Sequence, residues 1–147
     1  MGKRTLIKAL LTLTFLICWV ESFGQSTPTK NGWDNLIKAI SAVESKGNVN
    51  AVSGKHVGIL QISPVVVDDC NRINKLNKRK ERYKYGDRYN KEKSIRMFNC
   101  IQDFYNPSHD FEAAIRLWNG GSGWRQHPRK TDKYYQKVMK KFKEINN

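Results

Sequence analysis

Apolar positions recur at helical spacing in several stretches of this chain, each bounded by residues that stop a helix. Leu36, Ile37, Ile40 and Val43 form the first stripe, over about 33–46, and Lys46-Gly47-Asn48 closes it. Residues 47–62 carry Gly, Asn and Ser punctuation and predict irregular or short extended structure. Ser63-Pro64 has the form of a helix start, a capping hydroxyl followed by proline in the first turn. The next residues, Val65, Val66 and Val67, instead favour a strand by propensity. Further on, Met97, Phe98, Ile101, Phe104 and Tyr105 mark a helix ended by Asn106-Pro107. Phe111, Ala114, Ile115 and Trp118 mark another, closed by Asn119-Gly120-Gly121. Thr131 is expected to cap the last helix, whose apolar positions are Tyr134, Tyr135, Val138, Phe142 and Ile145. No internal repeat is visible. The pattern predicts a mostly α, small single-domain helical bundle, with a loop or short β-hairpin after the first helix.

The start of the chain has a different pattern. Lys3, Arg4 and Lys8 precede an apolar run from Ala9 to Val20, and Ser22-Phe23-Gly24 forms a small-x-small site. Residues 1–24 therefore read as an export signal, its apolar run shorter than the roughly 20 residues of a membrane span. Ile17 before Cys18 argues against a lipid anchor. Residues 25–32 read as a polar, flexible leader and 33–147 as the domain. Export implies a periplasmic or extracellular protein, and a domain of this size is expected to be a monomer.

Export also changes the reading of the cysteines. Loss of Cys18 leaves Cys70 and Cys100, a possible disulfide in an oxidising compartment or else two buried thiols. The formal charge is +14, and removing Lys3, Arg4, Lys8 and Glu21 leaves +12. Such an excess attracts polyanions, and an anionic cell-wall surface fits an exported protein. The excess concentrates in residues 72–93, read as a basic loop. Tyr83, Tyr85 and Tyr89 within it raise the question of base stacking, but an export signal argues against nucleic acid as a specific partner.

Candidate chemistry centres on Glu44. It follows Ile40 by one turn and Ile37 by two, so its side chain extends the apolar row. Burial there disfavours the charged form and raises the pKa, which suits a carboxyl that donates a proton near neutrality. No second carboxylate has a comparable setting: Asp68, Asp69 and Asp87 lie among polar or charged residues. His56, His109 and His127 lack Cys or acidic partners at ligand spacing, so neither a metal nor another cofactor is expected. The consecutive Ser108-His109-Asp110 cannot form a triad within itself, and Gly121-Ser122-Gly123 has no strand leading into it.

Four ordered blocks carry a resemblance. They are Ala42-Val-Glu-Ser-Lys-Gly-Asn-Val-Asn-Ala-Val-Ser53, Val57-Gly-Ile-Leu-Gln-Ile-Ser-Pro64, Ala113-Ala-Ile-Arg-Leu-Trp-Asn-Gly-Gly121, and Thr131-Asp-Lys-Tyr-Tyr-Gln-Lys-Val138. Together they resemble the lysozyme-like soluble lytic transglycosylase domain, a family related to goose-type lysozyme. The resemblance implies a lysozyme-like α+β fold and a helix, not a strand, after Pro64. It implies peptidoglycan glycan strands as substrate and Glu44 as acid then base. The expected product is a 1,6-anhydromuramyl end from cleavage between N-acetylmuramic acid and N-acetylglucosamine. A hydrolytic muramidase using the same acid is the first alternative, and a non-catalytic wall- or polyanion-binding module the second.

Beside Glu44, six residues are candidates for binding substrate. Ser45 either orients the acid or caps the helix. Gly58 lets backbone approach a sugar, or simply makes a tight turn. Gln61 can donate and accept across sugar hydroxyl and acetamido groups, and its place between Leu60 and Ile62 points it away from their apolar face. Trp118 stands where the family has tyrosine and so lacks that hydroxyl; it stacks on a sugar, shields the acid, or fills the core. Asn119 binds a substrate amide or caps its helix. Tyr134 matches the tyrosine of the family's terminal helix, with either its hydroxyl at the cleft or its ring in the core.

Overall fold

The computed structural model describes residues 33–147, so the expected signal and leader lie outside the described residues. Five helices and one two-stranded hairpin follow in order. They are α1 (Asp34–Ser45), β1 (Val52–Ser53), β2 (His56–Val57), α2 (Pro64–Leu76), α3 (Lys91–Tyr105), α4 (Phe111–Gly120) and α5 (Asp132–Asn146). Short 3-10 turns at Tyr85–Tyr89, Trp124–Gln126 and Pro128–Thr131 join the later helices. The mostly helical class with a hairpin after the first helix is what the apolar spacing predicts.

The first helix forms the centre of the core. Leu36, Ala39 and Ile40 are fully buried, and Trp33 just before α1 sets its indole edge-on against Phe98 of α3, 6.1 Å between ring centres. Met97, Phe98 and Ile101 of α3, Val67 and Ile73 of α2, Ala114, Ile115 and Leu117 of α4 and Val138 of α5 complete the same cluster. Val67 is buried inside a helix because its neighbours along that face, Cys70 and Ile73, are buried too. Packing of an apolar stripe overrides β propensity here.

α5 lies antiparallel along α1. The amide of Asn35 near the start of α1 donates to Asn146 Oδ1 at the end of α5, 2.8 Å away. At the opposite ends, Tyr134 meets Glu44. This pairing delivers a residue from the last helix to the end of the first.

Four local expectations change. The basic segment is not one loop: Arg72 and Lys75 belong to α2, and the turn at Tyr85–Tyr89 and the start of α3 take up its second half. Ser63 and Thr131 occupy N-cap positions without a side-chain capping bond. The Thr131 hydroxyl instead donates to the Pro128 carbonyl at 2.7 Å and accepts from Arg116 at 2.8 Å. Lastly, Cys70 and Cys100 are free, buried thiols, not a disulfide. They join α2 to α3: Cys70 Sγ lies 3.5 Å from the Met97 carbonyl, and Cys100 Sγ 3.9 Å from that of Cys70.

Among the described residues no helix is long and apolar enough to cross a membrane.

Candidate active site

Glu44 sits in the last turn of α1, partly buried. The helix ends just beyond it because Lys46 takes the left-handed conformation, φ 55°, and its N–H returns to the Ser41 carbonyl. Burial pushes the Glu44 carboxyl above the ordinary carboxylate range, while a hydrogen bond from Tyr134 draws it part of the way back. That bond runs from the Tyr134 hydroxyl to Glu44 Oε1 and is 2.6 Å long. The Tyr134 hydroxyl is itself raised, first by its own burial and then by the neighbouring carboxylate, so it stays a donor. Burial thus favours the protonated carboxyl, and the Tyr134 hydroxyl holds the group in one orientation.

The segment 58–62 is the meeting point of three other candidates. The Ser45 hydroxyl donates to the Ile59 carbonyl at 2.8 Å, with a longer contact of 3.3 Å to Ser41 O in its own helix. The Trp118 indole N–H donates to the Leu60 carbonyl at 3.3 Å. Gln61 Nε2 donates to the Gly58 carbonyl at 2.9 Å and to that of Ala51 at 3.3 Å. Ser45 therefore ties the acid's helix to the segment that follows the hairpin, and Trp118 ties α4 to the same segment. The helix end is held through the serine hydroxyl, beyond any capping role.

Gln61 is also engaged within the protein. Its nitrogen bridges the carbonyls of Ala51 and Gly58 that flank the hairpin, and its backbone is left-handed, φ 49°. Those two bonds hold a conformation that a non-glycine residue adopts at a cost of roughly 1–2 kcal/mol.

Gly58 also has a structural reason for being glycine. At φ 80°, a Cβ on this residue would fall 1.9 Å from the Arg88 carbonyl oxygen. The close approach is to protein backbone, and the residue makes the tight turn that was one of its two expected roles.

Trp118 is half-buried, with its ring 4.9 Å from that of Phe98. Its other side lines a small cleft of about 200 Å³ with Val65, Val66, Tyr105 and Gly121. The side chain thus has both a core contact and a place in the cleft lining. Asn119, the next residue, is exposed at the end of α4, and no side-chain hydrogen bond joins it to these groups.

Two arginines were missed by sequence reasoning. Arg88 donates through Nε to Tyr85 O at 2.7 Å and through Nη1 to Lys55 O at 3.0 Å and Ile62 O at 3.1 Å. It clamps the hairpin and segment 58–62 from outside, yet in the sequence it is one cation among many. Arg116 is 8% exposed within α4. It bonds Glu112, Asp132 and Thr131 and so fixes the start of α5, just ahead of Tyr134. The i, i+4 spacing of Glu112 and Arg116 was a readable signal for half of that arrangement.

The family described as Transglycosylase SLT domain matches residues 21–141, most of the chain. The chain belongs to this SLT family. No curated protein matches it. Membership of the SLT family brings, at the level of the family, lytic transglycosylase-type cleavage of peptidoglycan. The match begins at residue 21, inside the expected export signal, and ends within α5.

A groove of about 860 Å³ among the described residues is not lined by Glu44 or Tyr134. It runs along another flank of α1. The candidate site of this SLT domain rests on the acid and its partners, not on the depth of the surface.

Proposed function

We propose that this protein is an exported peptidoglycan lytic transglycosylase in which Glu44 acts first as acid and then as base. The observation that carries the reading is the partly buried Glu44 carboxyl with the Tyr134 hydroxyl 2.6 Å from Oε1. Glu44 gives its proton to the oxygen linking N-acetylmuramic acid to N-acetylglucosamine, and the bond from that oxygen to the muramyl C1 breaks. Positive charge develops at C1, where the substrate's own N-acetyl oxygen can share it. The muramyl C6 hydroxyl then closes on C1 and returns its proton to the Glu44 carboxylate. The product is a 1,6-anhydromuramyl end, and the acid is restored.

Intramolecular closure gains from proximity, since the nucleophile is already tethered to the electrophile. One carboxyl then serves both proton transfers. Tyr134 holds it in place and donates to it most strongly while it is charged, between the two steps. Ser45, Gln61 and Trp118 act around it through segment 58–62. Trp118 presents its open face to a sugar or stem peptide, and Asn119 stands at the rim. Residues 1–24 would direct the protein out of the cytoplasm, where peptidoglycan lies, and residues 33–147 would act there as one monomeric domain. The charge of +12 after signal removal would hold it near an anionic wall.

Digestion of purified peptidoglycan, followed by mass spectrometry of the released fragments, tests the reading. Anhydromuramyl ends are expected; reducing ends would make the protein a muramidase. Binding to the wall without any release would remove the catalytic reading.

A further inference from the structure

The groove along α1 is built differently from the candidate site. Its less exposed lining is apolar, with Ile37 of α1 and Ile59 buried and Ile95 of α3 half-buried. Its exposed lining is mostly cationic, with Lys38, Lys46, Lys91 and Lys141 beside the one acidic residue Asp34. Two of these cations are engaged locally, Lys141 with Glu144 at 2.6 Å and Lys38 with Asn35 at 3.3 Å. Lys46 and Lys91 have no carboxylate partner among the described residues.

We propose that this groove docks an acidic, amphipathic helical segment of a partner protein. Two features select that occupant. Lysines beside an apolar lining match a ligand that carries carboxylates along the edges of an apolar face, the pattern of a helix laid in a groove. A hydrated polyanion without apolar groups would use the lysines and leave the isoleucines unmatched.

The position gives docking a consequence. The lining includes Ile59 and Leu60, whose carbonyls accept from Ser45 and Trp118. A segment in the groove therefore touches the part of the backbone that supports the candidate site. Binding itself does not rest on the catalytic reading.

The test uses the full domain carrying Glu44→Gln, so that binding and catalysis are measured apart. The probe is a fluorescent synthetic helix with leucines on one face flanked by glutamates, titrated by anisotropy and followed by amide chemical shifts. Saturable binding is expected, with shifts at Ile37, Ile59 and Ile95. Lys91→Glu combined with Lys46→Asn should weaken it about tenfold or more. Asparagine at position 46 keeps the left-handed conformation accessible, and circular dichroism checks the fold. Ile95→Asn should weaken binding as well.

Poly-glutamate of the same length binding as tightly, or helix binding unaffected by these substitutions, would reduce the effect to general polyanion attraction and overturn the proposal. Groove shifts caused by phosphatidylglycerol vesicles but not by the helix would assign the face to a lipid surface and overturn it too.

Discussion

Tyr134 donates its hydroxyl to Glu44 Oε1 over 2.6 Å, although 90 positions of sequence separate the two. The bond joins the end of α1 to the beginning of α5. It also opposes the effect of burial on the same carboxyl, so the pKa of the acid is a balance that one substitution can tip.

Tyr134→Phe removes the donor and leaves the ring. The hydrogen bond lowers the Glu44 pKa, so its loss lifts that pKa further above the ordinary range. The first proton transfer needs Glu44 protonated. The basic limb of the profile of kcat/KM against pH should therefore move to higher pH. The rate at the optimum should fall about tenfold or more as the charged intermediate form loses its donor. An unmoved basic limb would mean that another group titrates there.

Glu44→Gln should lower cleavage by about 10²–10⁴-fold. It should also stabilise the fold at neutral pH. The folded-state pKa of Glu44 is raised, so the folded form binds a proton that the unfolded form has released above the usual carboxylate pKa. Stability supplied by the protonated acid is complete below the unfolded pKa and is lost as pH rises through the folded one. Glutamine bears no charge at any pH. Thermal melts should place the variant above the parent at pH 8, with the gap closing by pH 4. A constant gap would separate it from Glu44 ionisation.

Gly58→Ala should destabilise by about 2–5 kcal/mol. The added Cβ meets the Arg88 carbonyl at 1.9 Å, and the residue stands at φ 80°. Backbone lies on both sides of the clash, so no side chain can swing away. Denaturant unfolding measures the loss; a cost below about 1 kcal/mol would mean that the hairpin shifts freely.

Cys70 and Cys100 should resist alkylation in the native protein and react once it is unfolded. Both are buried, and the Cys70 thiol is held well above its ordinary range by the adjacent Cys100 and by burial. Mass spectrometry after alkylation with and without denaturant reads the outcome. Two unreactive sulfurs after unfolding without reductant would reveal a disulfide in the isolated protein.

Much of this was legible in the chain, and for a definite reason. Helices are local: the stripe of Leu36, Ile37, Ile40 and Val43, the stop at Lys46-Gly47 and the break at Asn106-Pro107 act within a few residues of themselves. The same locality put Glu44 on the row of buried isoleucines before any packing was known. Val65 to Val67 were ambiguous because intrinsic preference and the stripe through Cys70 and Ile73 disagree, and only burial of that stripe decides.

Tertiary structure alone decided the partners. That Tyr134 meets Glu44, that Ser45 and Trp118 both end on carbonyls of 59 and 60, and that Gly58 makes room for Arg88 depend on contacts between distant segments. A sequence specifies such a contact through the sum of all packing in the core, not through any spacing along the chain. The amino-acid order by itself determined where an acid would lose water. Only the folded chain determined which hydroxyl would stand beside it, because desolvation follows from a helix's own face whereas a hydrogen-bond partner follows from how two helices lie together.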